Sequence, residues 1–153
     1  MHEPAPIELQ KWPKEIPLPS FEDIQQMALA CLGLSGDNAT DKLRYNKTTP
    51  YIIARQLIYR AAQYIKFMSS PEVVEAMNLS SHSVLVGRGA TSAMRLMDSN
   101  VGAAMLNELI YCLHRHMHEH PRVFRSEALF KTAPGDYKKA ARESLHGHAG
   151  GAV

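Results

Sequence analysis

The chain has few cysteines and no long apolar run, and both absences narrow the classes of protein to which it can belong. Cys31 and Cys112 are the only cysteines in 153 residues, which excludes a disulfide scaffold and a zinc-ribbon spacing but leaves a single bridge open. No stretch approaches the ~18 consecutive apolar residues of a membrane-spanning helix. The amino terminus, Met1-His2-Glu3-Pro4, lacks the basic-then-apolar order of a secretory signal. These absences predict a cytoplasmic protein with no membrane partner.

Catalytic and nucleotide-binding motifs are also missing from the sequence. It contains no Gly-x-x-x-x-Gly-Lys-Ser/Thr loop, and Gly87-Arg88-Gly89 lacks the lysine and the preceding strand that a phosphate-cradling loop needs. No Ser/His/Asp, paired-carboxylate or activated-cysteine arrangement occurs within one motif. We therefore expect neither an enzyme nor a cofactor.

Histidines near the end of the last long helical segment form the one pattern that suggests a metal. His114 and His118, like His116 and His120, are spaced i, i+4, which places two imidazoles on one side of a helix. The two pairs face different sides, and a structural zinc site would need further ligands that only His146 and His148 of the carboxyl-terminal tail could begin to supply. We expect an exposed helix end or adventitious binding, and no metal site.

The overall composition is that of an ordinary globular domain. Hydrophobic residues make up 45% of the chain and charged residues 21%, which excludes collagen-like and fully disordered classes. A length of 153 residues fits one core with flexible ends. A single domain with terminal extensions is therefore expected.

Charge is distributed unevenly along the chain, although the formal net charge is only +2. Residues 1–38 carry six acidic side chains and two lysines, whereas residues 39–69 carry six basic side chains and one aspartate. A local basic excess is what a polyanion-binding surface needs, because each lysine or arginine that meets a phosphate releases condensed counterions. Taken alone, the same excess also fits a solvated helix face.

Apolar spacing, cap residues and prolines predict an all-α protein. The prolines of residues 1–19 predict an extended arm, because proline lacks an amide donor and fixes φ. Helices are expected over about 20–32, from a cap at Asn38 into the basic stretch, from Pro50 to about Met68, over 71–77, over 82–97 and over 100–119. In the helix after Pro50, Arg55, Gln56 and Lys66 are expected mainly on a basic face opposite the apolar one. The expected domain spans residues 20–120, with a mostly flexible tail over 121–153.

A short helix, a break and a longer helix over residues 71–97 form the outline of a helix-turn-helix. The longer helix is the less regular of the two, because Gly87 and Gly89 each cost a helix ~1 kcal/mol relative to alanine. A short strand over 83–87 is the alternative. The stripe of apolar residues from Val86 to Met97 favours the helix and leaves Arg88, Thr91 and Arg95 on a polar face.

The order of these elements, with the local sequence, resembles domain IV, the DNA-binding carboxyl-terminal domain of the bacterial replication initiator DnaA. The resemblance covers about residues 20–110, almost without gaps, and rests on Phe21–Ser35, Asp41–Lys47, Ala54-Arg55-Gln56, Ser70–Val74 and His82-Ser83. The family signature has arginine and aspartate where this chain has Ser80 and Ser81, so we do not expect the initiator's own box sequence to be the target. Without a nucleotide-binding loop, the chain is not expected to be an ATP-driven initiator.

The resemblance implies double-stranded DNA as the partner, and the helix-turn-helix geometry assigns the contacts. The second helix of such a motif enters the major groove by its amino-terminal end, while neighbouring elements hold phosphates. Arg88 could pair with guanine, and the serines could instead be helix caps. The predicted DNA-binding residues are Lys42, Arg44 and Lys47 of the basic loop, Arg55 at a phosphate, and Ser80, Ser81, His82, Ser83, Arg88 and Thr91 of the recognition segment.

Regulation of replication initiation or transcription, with nucleoid association, is the function that the resemblance implies. The alternative is a protein-interaction module on the same helical bundle that binds replication or transcription machinery without reading DNA. The helix over 100–119 and the arm are candidate surfaces for a homodimer or for such a protein partner. Convergence of the basic residues on one exposed surface would favour DNA over the alternative.

Overall fold

The computed structural model describes residues 5–34, 36 and 38–119, and these residues form helices and connecting segments without a strand. The helices are α1 (Phe21–Cys31), α2 (Ala39–Tyr45), α3 (Thr49–Lys66), α4 (Ser70–Ala76), α5 (Ser83–Val86), α6 (Arg88–Met97) and α7 (Asn100–Glu119). The expected all-α class is confirmed. The tail predicted over 121–153 lies outside the described residues.

Two serines cap the amino-terminal ends of helices. The Ser20 hydroxyl accepts a hydrogen bond from the Asp23 amide at 3.1 Å and caps α1. At α4, Ser69 and Glu72 form a capping box, in which the Ser69 amide donates to the Glu72 carboxylate at 3.0 Å. The hydrogen bonds from Ser69 lower the pKa of Glu72. Local polar groups therefore define where these helices begin.

Three helices end at a residue in the left-handed region of the backbone. Gly33 (φ 71°) follows α1, Phe67 (φ 56°) follows α3 and Asn78 (φ 56°) follows α4. In each case the next amide bonds back into the helix, as Met68 N does to Ala62 O at 3.2 Å. Glycine and asparagine are the residues usually found at such a position, and phenylalanine is not.

Helix α3 is the centre of the bundle and contacts α1, α2, α4, α6 and α7. Its Leu57 and Ile58 are 1% and 0% exposed, and they belong to one apolar cluster with side chains of α1 and α7. Val73 of α4 is also fully buried in this cluster. The core therefore fixes the positions of the shorter helices relative to α3. None of the helices in the described part of the chain is long and apolar enough to cross a membrane.

The two cysteines are brought together where α1 packs on α7. Cys31 and Cys112 are both free thiols and both buried. A hydrogen bond with Cys112 and burial together raise the pKa of the Cys31 thiol well above its ordinary value. The Cys31 sulfur is therefore held as a protonated thiol in the core, where free cysteine packs as a small hydrophobe.

The arm that precedes α1 is docked along α7 by two asparagines. Asn100 accepts from the Ile7 amide at 2.8 Å and donates to the Ala5 carbonyl at 3.1 Å. One heptad later, Asn107 accepts from the Gln10 amide at 2.8 Å and donates to the Glu8 carbonyl at 2.9 Å. The described part of the arm, residues 5–19, is irregular as expected, and its backbone is held by side-chain amides.

We expect the double substitution Asn100→Ala/Asn107→Ala to release the arm from α7 while the helical core stays folded. Each asparagine supplies one acceptor and one donor to exposed arm backbone, so both substitutions together remove four hydrogen bonds. Amide exchange at Ile7 and Gln10 should become at least about tenfold faster. Hydrogen-exchange mass spectrometry measures this, and unchanged protection in the arm would contradict the proposed clamp.

The continuous helix expected over 82–97 is interrupted in the structure. Gly87 has φ −69° and ψ 179°, an extended conformation that ends α5 and serves as the amino-terminal cap of α6. Its amide bonds to Ser83 O at 2.7 Å, and its carbonyl accepts from Thr91 N at 2.8 Å. The prediction of one helix is wrong at this glycine, because glycine lowers the cost of leaving the helical conformation. The strand alternative over 83–87 is also wrong, since Ser83–Val86 are helical.

Candidate nucleic-acid interface

The end of α2 and the loop that joins it to α3 lie against the turn that joins α4 to α5. Lys42 and Arg44, which were expected in a basic loop, lie in α2, and only Lys47 lies in the loop. The Arg44 guanidinium donates through Nε to the carbonyl of Asn78 at 3.3 Å, which links the two segments across the surface. Lys42, Arg44 and Lys47 are all exposed. This contact brings Lys42, Arg44 and Lys47 next to the predicted recognition segment, which begins at Ser80.

Arg55 has a different place from the one expected for a phosphate contact. It is 4% exposed, and its Nη1 donates to the carbonyls of Leu43 at 2.9 Å and Asn46 at 2.8 Å. Burial lowers the pKa of the guanidinium. Helix α2 covers the face of α3 that the sequence pattern assigned to solvent. Arg55 therefore holds the end of α2 and the following loop from their buried side.

Gln56 is also buried, against the expectation of a place on the basic face of α3. It is 0% exposed, and its side-chain amide donates through Nε2 to the carbonyl of Leu85 in α5. The consecutive residues Arg55 and Gln56 thus connect α3 to α2 and α5. The periodicity of the sequence does not predict this role, because a polar residue next to an arginine fits an exposed helix face.

We expect Arg55→Ala to destabilise the protein by about 2 kcal/mol, because it leaves the buried carbonyl of Leu43 and the partly buried carbonyl of Asn46 without their donor. Urea unfolding followed by circular dichroism measures the change. Lys47→Ala is the control, since Lys47 is exposed and should change stability by less than about 0.5 kcal/mol. Equal stability of the two variants would show that Arg55 does not organise the loop.

The turn before α5 presents four polar side chains to solvent. Ser80, Ser81, His82 and Ser83 are all exposed, and the Ser81 and Ser83 hydroxyls hydrogen bond to each other at 2.6 Å. His82 occupies the cap position of α5, but its side chain makes no capping hydrogen bond. Its imidazole and the remaining hydroxyl lone pairs are available to a ligand.

The first turn of α6 contributes Arg88 and Thr91, which are both exposed. The Thr91 hydroxyl donates to the Gly87 carbonyl at 3.0 Å, which leaves its oxygen able only to accept a further hydrogen bond. Gly89 lets this turn approach α3 closely, because a Cβ there would lie 2.7 Å from the Ile52 Cδ1 atom. Arg88 is therefore carried to the same end of α3 as the basic loop.

Three contacts place the predicted elements around the first turns of α3. Ile52 meets the start of α6, Arg55 holds the loop after α2, and Gln56 holds α5. Nine of the ten predicted side chains are exposed there, and only Arg55 is buried. These nine are Lys42, Arg44, Lys47, Ser80, Ser81, His82, Ser83, Arg88 and Thr91, and we call them the basic surface.

The cations of the basic surface have no acidic partner within the described residues. Neither Lys42, Arg44, Lys47 nor Arg88 forms an ion pair there, whereas Arg60 pairs with Asp98 at the other end of α6. Exposed positive charge that is not held in ion pairs produces a positive potential that attracts anions. The surface also offers hydroxyl groups and an imidazole for hydrogen bonding.

The histidines of α7 do not gather further metal ligands in the part of the chain that the structure covers. No group of three or more His, Cys, Asp or Glu side chains there could hold a metal ion, and His120 lies outside that part. His114 packs edge-on against Tyr111 with ring centroids 5.8 Å apart. Burial, with the nearby His118, lowers the pKa of His114.

Comparison of the chain with protein-family models, curated proteins and solved structures finds no match to any of them.

Proposed function

We propose that the protein binds double-stranded DNA through the basic surface, with a helix-turn-helix formed by α4, the following turn and α5–α6. The observation that carries this proposal is the meeting of three separate segments of the chain at one end of α3, each with exposed cationic or hydroxyl side chains. An exposed basic surface of this kind, next to a short helix-turn-helix outline, fits a duplex better than a small anion.

Affinity would come mainly from α2 and the loop after it. Lys42, Arg44 and Lys47 are exposed and form no ion pair with the described residues, so each can meet a phosphate and release counterions. The two hydrogen bonds from Arg55 hold the Leu43 carbonyl of α2 and the Asn46 carbonyl of the loop, which limits the conformational entropy lost on binding. Arg55 thus acts as a positioning residue behind the phosphate-contacting side chains.

Sequence selectivity would come from the turn before α5 and the first turn of α6. His82 and Ser83 lie at the start of α5, and Arg88 lies at the start of α6, where a recognition segment points into the major groove. Arg88 is the side chain able to pair bidentately with guanine, which discriminates by roughly 1–3 kcal/mol. Because Gly87 interrupts the helix between α5 and α6, the residues that contact bases need not lie on one face of a single helix.

Regulation of replication initiation or of transcription is the biological setting that we propose, on the resemblance to DnaA domain IV. A serine pair at Ser80 and Ser81 replaces the arginine and aspartate of that family's signature. A different target sequence from the initiator's box follows from this replacement, since serine hydroxyls read base edges with less discrimination than arginine.

Binding of a labelled pool of random 30-base-pair duplexes, followed by fluorescence anisotropy at several salt concentrations, tests the proposal. Three phosphate contacts, from Lys42, Arg44 and Lys47, predict a slope of log K against log salt of about −3. Selection from the pool should then enrich one sequence family. Absence of binding at about 10 μM protein in 50 mM salt would reject DNA as the partner.

A further inference from the structure

An apolar groove lies at the opposite end of α3 from the basic surface. It has a volume of about 750 Å³ and runs between the arm and the last turn of α3. Trp12, Ile16 and Leu18 line it from the arm, and Tyr64 and Phe67 line it from α3. This volume is in the range of clefts that hold a ligand or a few anchoring side chains of a peptide.

Phe67 is unfavourable for the stability of the isolated protein on two counts. It has φ 56°, a conformation that costs a side chain with a Cβ about 1–2 kcal/mol. It is also 85% exposed, so its ring gains little from burial. Strained, exposed apolar residues of this kind are concentrated where a ligand is held. Leu18, 52% exposed, extends the same apolar surface across the groove.

The wall formed by the arm is held in place before any partner arrives. The Trp12 indole donates to the Ile16 carbonyl at 2.9 Å, and Ile16 N donates to Pro13 O at 3.2 Å, which closes a turn. Lys66 ties the end of the arm to α3 through the Pro19 carbonyl at 2.9 Å. The asparagine clamp on α7 fixes the beginning of the arm. A preorganised groove loses less entropy on binding than one that must form.

The charge at the rim of the groove selects the chemistry of the occupant. Among the described residues, Lys11 and Lys14 are the only charged ones that line it, and both are exposed without an ion pair there. A partner with carboxylates beside its apolar anchors complements this rim. A second copy packed symmetrically would instead bring the same two lysines together.

We infer that this groove is a docking site for a partner protein, which inserts a segment with apolar anchors flanked by acidic residues. The site is separate from the basic surface and does not depend on the proposed DNA function. Helix α3 would then link a nucleic-acid surface at its first turns to a protein-docking groove at its last turn. Such an arrangement lets one chain hold duplex and partner at the same time.

Selection from a displayed library of random 16-residue peptides on the full chain tests the inference. The library is first passed over the immobilised Phe67→Gly variant, which removes peptides that bind elsewhere on the protein. We expect the enriched peptides to carry at least two large apolar residues and a net negative charge. The best of them, synthesised with a fluorophore, should bind Phe67→Gly at least about tenfold more weakly than the wild type, because Phe67 is the central exposed anchor.

The Phe67→Gly variant is a sharp probe because the substitution should not harm folding. Glycine relieves the left-handed strain and removes little buried surface, so thermal stability should stay equal or rise. The charge variant Lys11→Glu/Lys14→Glu should weaken the acidic peptide and strengthen a matched peptide with lysines in place of its acids. Both variants should keep the DNA affinity of the wild type, if DNA is bound.

Three outcomes would overturn the inference. The first is enrichment of peptides without acidic residues, and the second is equal affinity of the selected peptide for the wild type and Phe67→Gly. The third is a dimer in sedimentation velocity that Phe67→Gly converts to a monomer, since a second copy would then be the occupant. If the wild type does not bind DNA, none of these three readouts changes.

Discussion

Replacement of Gly102 by alanine is expected to destabilise the protein by at least about 3 kcal/mol. Gly102 lies in the first turn of α7, where that helix crosses the end of α6. A Cβ at this position would collide with the backbone of Leu96 and Met97, including the Met97 carbonyl oxygen at 2.5 Å. Backbone atoms cannot move aside as the end of a side chain can, so α7 would have to shift as a whole. That shift would disturb its buried contacts with α1 and α3.

Urea unfolding with circular dichroism measures the effect of Gly102→Ala, and the size of the loss is a large share of the ~5–15 kcal/mol typical of a domain. Gly36→Ala is the matched control, because a Cβ there meets nothing within 4 Å. The control should change stability by less than about 1 kcal/mol. A Gly102→Ala protein as stable as the control would mean that α6 and α7 do not pack as closely as described.

Helix boundaries in this chain are encoded mostly by local chemistry, which is why the sequence predicts them well. Ser20 caps α1, Pro50 occupies the first turn of α3, and Ser69 with Glu72 forms a capping box at α4. Each signal acts within four residues, so no knowledge of tertiary structure is needed to interpret it. The end of α1 at Gly33 follows the same logic, since glycine adopts positive φ without strain.

Burial of polar side chains is the part that the sequence does not reveal. Periodicity placed Arg55 and Gln56 on the outer face of α3, but α2 and α5 pack over that face and take their hydrogen bonds. Asn100 and Asn107 carried no signal at all, because their role depends on an arm that lies more than ninety residues away in the chain. Side-chain amides that hold distant backbone can be found only when the packing is known.

Exposure at the basic surface was more predictable than burial within it. Nine of the ten proposed DNA-contacting side chains are exposed in segments that the structure brings to one end of α3, a convergence that the sequence left open. Short, polar segments between capped helices stay at the surface, because their backbone groups need solvent or a ligand. The break at Gly87 was the exception, since the apolar stripe through Val86 and Ala90 favoured a continuous helix.

Reversal of the two exposed lysines of the basic surface, Lys42→Glu/Lys47→Glu, is expected to lower DNA affinity roughly 10²-fold at 0.1 M salt. Each lost phosphate contact removes about 0.9 from the slope of log K against log salt, so the slope should become shallower by about two. Arg44 is left unchanged because it also bonds to the Asn78 carbonyl, and its removal would mix a structural effect with an electrostatic one. Fluorescence anisotropy with one duplex over a salt series measures both the affinity and the slope.

The groove variant Lys11→Glu/Lys14→Glu is the matched control for this experiment. It makes the same change in net charge on two other exposed lysines, at the opposite end of α3. A general effect of protein charge on a polyanion would weaken both variants alike, whereas phosphate contacts at the basic surface would weaken only the first. The control variant Lys11→Glu/Lys14→Glu should lose affinity for the acidic peptide, whereas Lys42→Glu/Lys47→Glu should keep it. The two variants together therefore assign each ligand to its own end of α3. Equal loss of DNA affinity in the two variants would remove the case for a specific interface formed by α2 and the loop after it.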